Sequence, residues 1–237
     1  MESRFKEYAT LLIDNIEGGY YHPSMKAKLV NGDRMLDSGE TMYGMDRKAG
    51  GTDINDSSAG KKFWKILDDN NASTKWKYGY KAEGQIAKNL KDLAGEMMYN
   101  RYKRYSQMYL KDNQKIVSKD TRLELHFFYA CWNGVGWFKR FANELNNEIA
   151  QQKQNGKIDY DKLADFVIQS RTNSGNSLIR DGAPKVKKIF GLDAFKKIKI
   201  HNNTWLWITL GIAVVGGGIG LYMYKRKGKN MKKWIKG

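Results

Sequence analysis

The chain of 237 residues carries 42 Lys and Arg against 25 Asp and Glu, a net charge of +17, and its 41% hydrophobic content is enough to build a packed core, which excludes a disordered polymer. Its single cysteine, Cys131, excludes an internal disulfide and so the stapled framework of a small secreted domain. The charge is unevenly placed: thirteen of the basic residues and one acid fall from Lys185 onward, leaving residues 1–184 with a net of only +5. No helix-turn-helix, zinc or aromatic-basic RNA motif accompanies it, so nucleic acid is not an expected partner except through the basic tail.

Phe5, Tyr8, Leu12 and Ile16 recur at intervals of three and four, the spacing of a helix with one buried face. No basic region followed by an apolar core precedes them, so no cleavable signal peptide is expected in this stretch. The helix delivers Glu17, set between Ile13 and Ile16 on one side and Tyr20 and Tyr21 on the other, with Gly18 and Gly19 allowing a sharp turn. A carboxyl group in such a setting has its pKa raised and becomes a plausible cleft acid, although the same position suits a solvated residue at a helix end. Asn31-Gly32 between short mixed segments signals a hairpin, and Gly39, Gly44, Gly50 and Gly51 read as turn chemistry.

Glu17-Gly18-Gly19-Tyr20, followed by Ser38-Gly39-Glu40-Thr41-Met42-Tyr43-Gly44-Met45, resembles the N-terminal signature of the glycoside hydrolase family 108 muramidases, lysozyme-like peptidoglycan hydrolases of phages and bacteria. Ser38 stands where the family has a glycine, and the loop between the motif halves is longer. The resemblance implies a mainly α, α+β lysozyme-like domain with a small β-hairpin lobe, and it makes Glu17 the catalytic acid. It also implies a second carboxylate, for which Asp37 is the nearest residue and Glu40 the alternative, with Tyr20, Glu40, Thr41 and Tyr43 contacting sugar or water. The substrate it implies is the glycan strand of peptidoglycan, cut without metal or other cofactor at the β-1,4 bond between N-acetylmuramic acid and N-acetylglucosamine. Two alternatives stay open: a lytic transglycosylase with Glu17 as sole acid and base, and a catalytically inert lysozyme-fold structural protein of a membrane or virion.

Ser57 and Ser58 are candidate N-caps for a helix through Phe63, Trp64, Ile66 and Leu67, ended by Asp68-Asp69-Asn70-Asn71, which lacks the spacing of a calcium loop. Trp76, Tyr78 and Tyr80 alternate beyond it, in a pattern that suits packing or stacking on sugar rings. A proline-free run from Ala82 to about Leu110, apolar at Ile86, Leu90, Leu93, Met97 and Met98, predicts one long helix with a bend near Gly95. Leu125 to Trp132 is nearly continuously apolar and predicts a buried helix, broken at Asn133-Gly134-Val135-Gly136 and resumed at Trp137. Asn133 and Trp137 at that break either line a cleft or cap a helix. His126 reads as a core histidine, and Cys131, in apolar surroundings, as an unreactive thiol.

Asp159 opens a further helix and Ser174-Gly175-Asn176 precedes the last, so the globular domain is expected over 1–191, followed by a basic connector over 192–203. From Thr204 to Tyr224 run twenty-one uncharged residues, long enough at 1.5 Å each to cross about 30 Å of hydrocarbon, with Trp205 and Trp207 at one end and Tyr222 and Tyr224 at the other. The basic tail, 225–237, biases the orientation toward an inside tail. The expected protein is thus a membrane-anchored muramidase with a single C-terminal span, in a host inner membrane or an internal virion membrane. Its domain faces the wall, and other virion or lysis proteins are its natural neighbours.

Overall fold

The computed structural model describes residues 1–23 and 39–198. Asp37, the Asn31-Gly32 turn and the expected span 204–224 lie outside them. In order come helix α1 (Ser3–Asn15), strands β1 (Thr41–Met42) and β2 (Met45–Asp46), then α2 (Thr52–Asn55), α3 (Ser58–Asp69), α4 (Ala72–Lys75) and α5 (Gly84–Tyr105). The second half is helical throughout its regular elements: α6 (Gln114–Val117), α7 (Thr121–Ala130), α8 (Val135–Gln154), α9 (Tyr160–Thr172), α10 (Ser177–Phe190) and α11 (Asp193–Lys196). The architecture is mainly α, as its periodicities dictate, with a two-stranded antiparallel hairpin. Among the described residues no helix is long and apolar enough to cross a membrane.

The fold is built around α7, in which every side chain from Leu123 to Ala130 is buried. A helix apolar on all sides must be enclosed, and α1, α5, α6, α8 and α9 all pack against it. Its start is fixed by Asp120, whose carboxylate accepts from the backbone N–H of Arg122 and Leu123. Ser57, Asp159 and Asn176 cap α3, α9 and α10 in the same way, which is why sequence reading located these starts closely.

Helix α5 continues through Gly95 without interruption. The glycine serves close packing instead of the expected bend: a Cβ there would sit 2.9 Å from that of Ala9 on α1. The expected α-helix to Leu110 stops at Tyr105, and a single π-helical turn, Ser106–Leu110, follows with both of its end residues buried. The globular body also extends past the boundary expected near Gly191. Leu192, Phe195 and Ile198 recur every third residue; Phe195 stacks on Phe190 at 5.4 Å and lies 6.4 Å from the ring of Tyr8, so residues 192–198 pack with the helices and do not act as a connector.

Glu124 is one of the charged groups these helices enclose. Glu124, 1% exposed, accepts two hydrogen bonds from Arg4, at 2.8 and 3.1 Å, and one from Tyr8 Oη at 3.1 Å. Burial raises its pKa against the pull of those partners. Removing one partner of such a pair leaves a buried charge uncompensated. Arg4→Ala is expected to cost about 3 kcal/mol in urea unfolding of the chain, and adding Glu124→Gln in the same molecule to return part of that loss, because the two positions act as a unit.

Candidate active site

Helix α1 runs out where the N–H groups of Ile16 and Glu17 both donate to the carbonyl of Leu12, at 2.8 and 3.1 Å. Glu17 therefore emerges from a helix end, as its position after the apolar stripe implies. The two following glycines differ in purpose. Nothing lies within 4 Å of a Cβ built on Gly18, whereas one on Gly19 would strike the carbonyl oxygens of Gly79 and Tyr80. That close approach lets Tyr20 N–H donate to the Tyr80 carbonyl and Gly79 N–H to the Tyr20 carbonyl, each at 2.8 Å, so the segment after Glu17 is sewn to the Trp76–Tyr80 loop.

The second half of the motif forms the hairpin itself. Thr41 pairs with Asp46 and Met42 with Met45, and the two turn residues, Tyr43 and Gly44, have φ of 53° and 72°. Such a left-handed pair is what a two-residue turn of the type I′ kind requires. Asp46 steadies the exit by accepting from the backbone N–H of Lys48 and Ala49 at 2.7 and 2.6 Å. Tyr21 and Thr41 exchange hydrogen bonds of 2.8 Å and join the hairpin to the Glu17 segment. Trp132, at the end of α7, donates its indole N–H to the Tyr43 carbonyl at 3.0 Å. Gly44 then faces the acid: a Cβ there would overlap Glu17 Oε2 and lie 2.9 Å from both Glu17 Cδ and Trp132 Cδ1.

Glu17 sits in a cleft of about 300 Å³. Ile16 and Gly44 form one side, Tyr129, Trp132 and Asn133 supply the end of α7, and Leu178, Asp181, Gly182 and Lys185 come from α10. Among the described residues no hydrogen bond or ion pair engages the Glu17 carboxyl. Burial accordingly pushes its pKa from the ordinary 4.5 up to about 7, with the charge of Lys185 pulling the other way. Tyr129, buried in the same wall, is pushed up to about 12, first by burial and then by the negative charge of Glu17.

The residues expected at the site divide sharply. Glu17 and Asn133 line the cleft together, while Tyr43 does not: its ring is buried and its carbonyl accepts from Trp132. Tyr20 and Glu40 do not line it: Tyr20 is wholly buried, its Oη donates to Glu40 at 2.6 Å, and Arg47 holds the other Glu40 oxygen at 2.7 Å. Thr41 donates its hydroxyl to the Gly39 carbonyl at 3.2 Å, and Trp137 packs on Phe141 with Arg140 over its ring. Asp37 lies outside the described residues. Sequence reasoning missed Tyr129, Trp132, Asp181 and Lys185; the proximity of Trp132 to Asn133 and the polar Arg180-Asp181-Gly182 interruption of an apolar helix were the available signals.

Cys131 is fully buried and its thiol is pushed up by burial, while burial holds His126 well below the usual imidazole range. Among the described residues no group of three or more His, Cys, Asp or Glu is placed to hold a metal ion. Comparison with protein-family models, with curated proteins and with solved structures gives no match.

Because folding raises the Glu17 pKa, the native state binds this proton more tightly than the unfolded chain, and stability falls as pH rises from 4.5 to about 7. Glu17→Gln is therefore expected to stabilise the protein by about 1–2 kcal/mol at pH 8, after allowance for partial solvent access, and to leave it unchanged at pH 4, measured by urea unfolding at both values. Gly44→Ala is expected to displace the carboxyl toward water, so that a carbon-13 NMR titration finds Glu17 back near its ordinary 4.5.

Proposed function

We propose that the chain is a glycosidase of the muramidase type, with a lysozyme-like domain acting on the β-1,4-linked glycan strands of peptidoglycan. The observation that supports this most is the state of Glu17: a carboxyl group without a partner, in an open cleft, with a pKa near 7. Glu40, Asp53 and Glu124 are each held by arginine, whereas Glu17 has no arginine partner among the described residues and opens onto the cleft. Its place on a helix end beside a Thr-Met-Tyr-Gly hairpin also agrees with the motif that carries the family resemblance.

In the proposed reaction Glu17, protonated at neutral pH, gives its proton to the glycosidic oxygen as the C1–O bond breaks. The leaving sugar departs with a free hydroxyl, and water bonds to the anomeric carbon, passing its proton to a carboxylate. Asp181 is the other acid in the described cleft, and Asp37 is the carboxylate the family motif implies. The hydrophobic stretch 204–224 tethers this domain to a membrane, with the wall as its substrate and a lysis or cell-penetration role in a phage as its setting.

A specific observation also favours the transglycosylase reading. Asp181 is 67% exposed and its nearest ion partner is Arg180 at 3.7 Å, so the described cleft holds a single desolvated carboxyl group. That suits a reaction in which Glu17 serves first as acid and then as base. The product separates the two: reducing-end fragments for a hydrolase, anhydro-ended fragments for a transglycosylase.

Purified peptidoglycan incubated with the full chain is expected to release soluble fragments, seen by mass spectrometry, and Glu17→Gln to lower the rate by about 10³-fold or more. Absence of release from several wall chemotypes by the folded wild type overturns the proposal. The pH profile of kcat/KM is expected to fall above about pH 7, where Glu17 loses its proton. Lys185→Met removes the charge that favours the carboxylate, so the alkaline limb is expected to move to higher pH.

A further inference from the structure

The exposed side of the chain's last two described helices, α10 and α11, is basic. From Pro184 to Ile198 it carries Lys185, Lys187, Lys188, Lys196 and Lys197 against one acid, Asp193. Lys196 lies 3.6 Å from Asp193, while Lys187, Lys188 and Lys197 have no ion-pair partner among the described residues. Lys185 belongs to the wall of the Glu17 cleft. Lys187 is turned about 160° around α10 from it, away from the cleft, and Lys188 stands almost one turn beyond it toward the C-terminal end.

Free lysines stand elsewhere too, Lys61 and Lys62 on α3 among them, so the place of this group is what singles it out. Lys196 and Lys197 sit between the buried side chains of Phe195 and Ile198, and Phe195 is held by its ring contacts with Phe190 and Tyr8. The charges are therefore fixed to the folded body. Between the two lysine pairs lie Phe190 and Leu192, both half-buried. Lysines flanking partly exposed apolar side chains have the composition of a surface that meets lipid headgroups. Five residues, 199–203, then join Ile198 to the uncharged run that begins at Thr204. Fully extended they reach roughly 20 Å, so with 204–224 in a bilayer the end of α11 stays within that distance of its surface.

We propose that the last turn of α10 and α11 form a docking face for anionic lipid headgroups, with Lys187, Lys188, Lys196 and Lys197 on the phosphates. The inference rests on the membrane tether of the proposed function and goes beyond it, because it gives the folded body a membrane contact of its own. Each lysine brought to an anionic surface favours binding by about fivefold. That attraction acts over about 8 Å at physiological salt, and the short connection to Thr204 keeps the four lysines close enough to use it. Since they belong to the folded body, docking orients the whole domain and leaves the cleft side of α10 facing away from the lipid.

The test mixes the full chain with vesicles of phosphatidylcholine, alone or with about one third phosphatidylglycerol, and acetylates exposed lysines for residue-by-residue mass spectrometry. With phosphatidylglycerol, labelling of Lys187, Lys188, Lys196 and Lys197 is expected to fall about fivefold or more, and to recover in about 1 M salt, while Lys61 and Lys62 stay unchanged. Equal labelling on both vesicles overturns the inference, and so does an equal fall at Lys61 and Lys62. Protection by an anionic wall polymer on neutral vesicles, without protection by phosphatidylglycerol, overturns it in favour of a wall contact. Flotation of the chain with neutral vesicles in about 1 M salt reports separately on the tether. No flotation there, with the four lysines still protected on anionic vesicles, removes the tether and leaves the docking face standing. Loss of wall digestion would remove the muramidase reading without touching either.

Discussion

The cleft depends on a carboxyl group drawn out of water with nothing offered in return. Glu17 is reached by no donor among the described residues, and the surfaces that desolvate it come from three separate places: the hairpin turn at Gly44, the end of α7 at Tyr129 and Trp132, and the face of α10. A carboxylate in that position would normally recruit an arginine, as Glu40 does with Arg47 and Glu124 with Arg4. Lys185, in the cleft wall, moderates the group by its charge, with no ion pair between them among the described residues. The result is an acid poised at neutral pH, and the packing of the body serves to keep it so.

That packing is economical in its use of side chains. Gly95 lets α1 lie directly on α5, Gly19 lets the chain after the acid touch the Gly79–Tyr80 backbone, and Gly44 lets the hairpin turn reach the carboxyl itself. Around these close approaches, a few long polar groups fix position. Trp132 ties α7 to the turn, and Arg101 on α5 reaches Asp53 and the Gly50 carbonyl just beyond the hairpin. The hairpin, only two residues per strand, is too short to be stable alone and is held by these external bonds.

The helices were legible because their determinants are local. Stripes at three- and four-residue spacing placed α1, α3 and α5, and Ser57, Asp159 and Asn176 announced their helix starts. Glu17 and its partnership with the Tyr43-Gly44 segment were legible through a motif. The rest of the site was hidden because it is assembled from distant faces. Tyr20 and Glu40, adjacent to the motif, looked available for sugar, yet they satisfy one another together with Arg47, a closure that no local pattern reports. Conversely Asp181 and Lys185 sit on an ordinary amphipathic helix whose exposed face becomes a cleft wall only through the docking of α10 on α1 and α9. Arg171 was invisible for a similar reason: near the end of α9 an arginine reads as a solvated charge favoured by the helix dipole, and here it is buried.

The contact between Phe195 and Tyr8 has a further meaning for how the protein comes into being. The acid-bearing helix is synthesised first, but one of the three surfaces around its carboxyl, the face of α10, is among the last parts of the body to leave the ribosome, and α11 packs on α1 after it. The pocket around Glu17 is therefore completed only when α10 docks on α1, late in the order of synthesis.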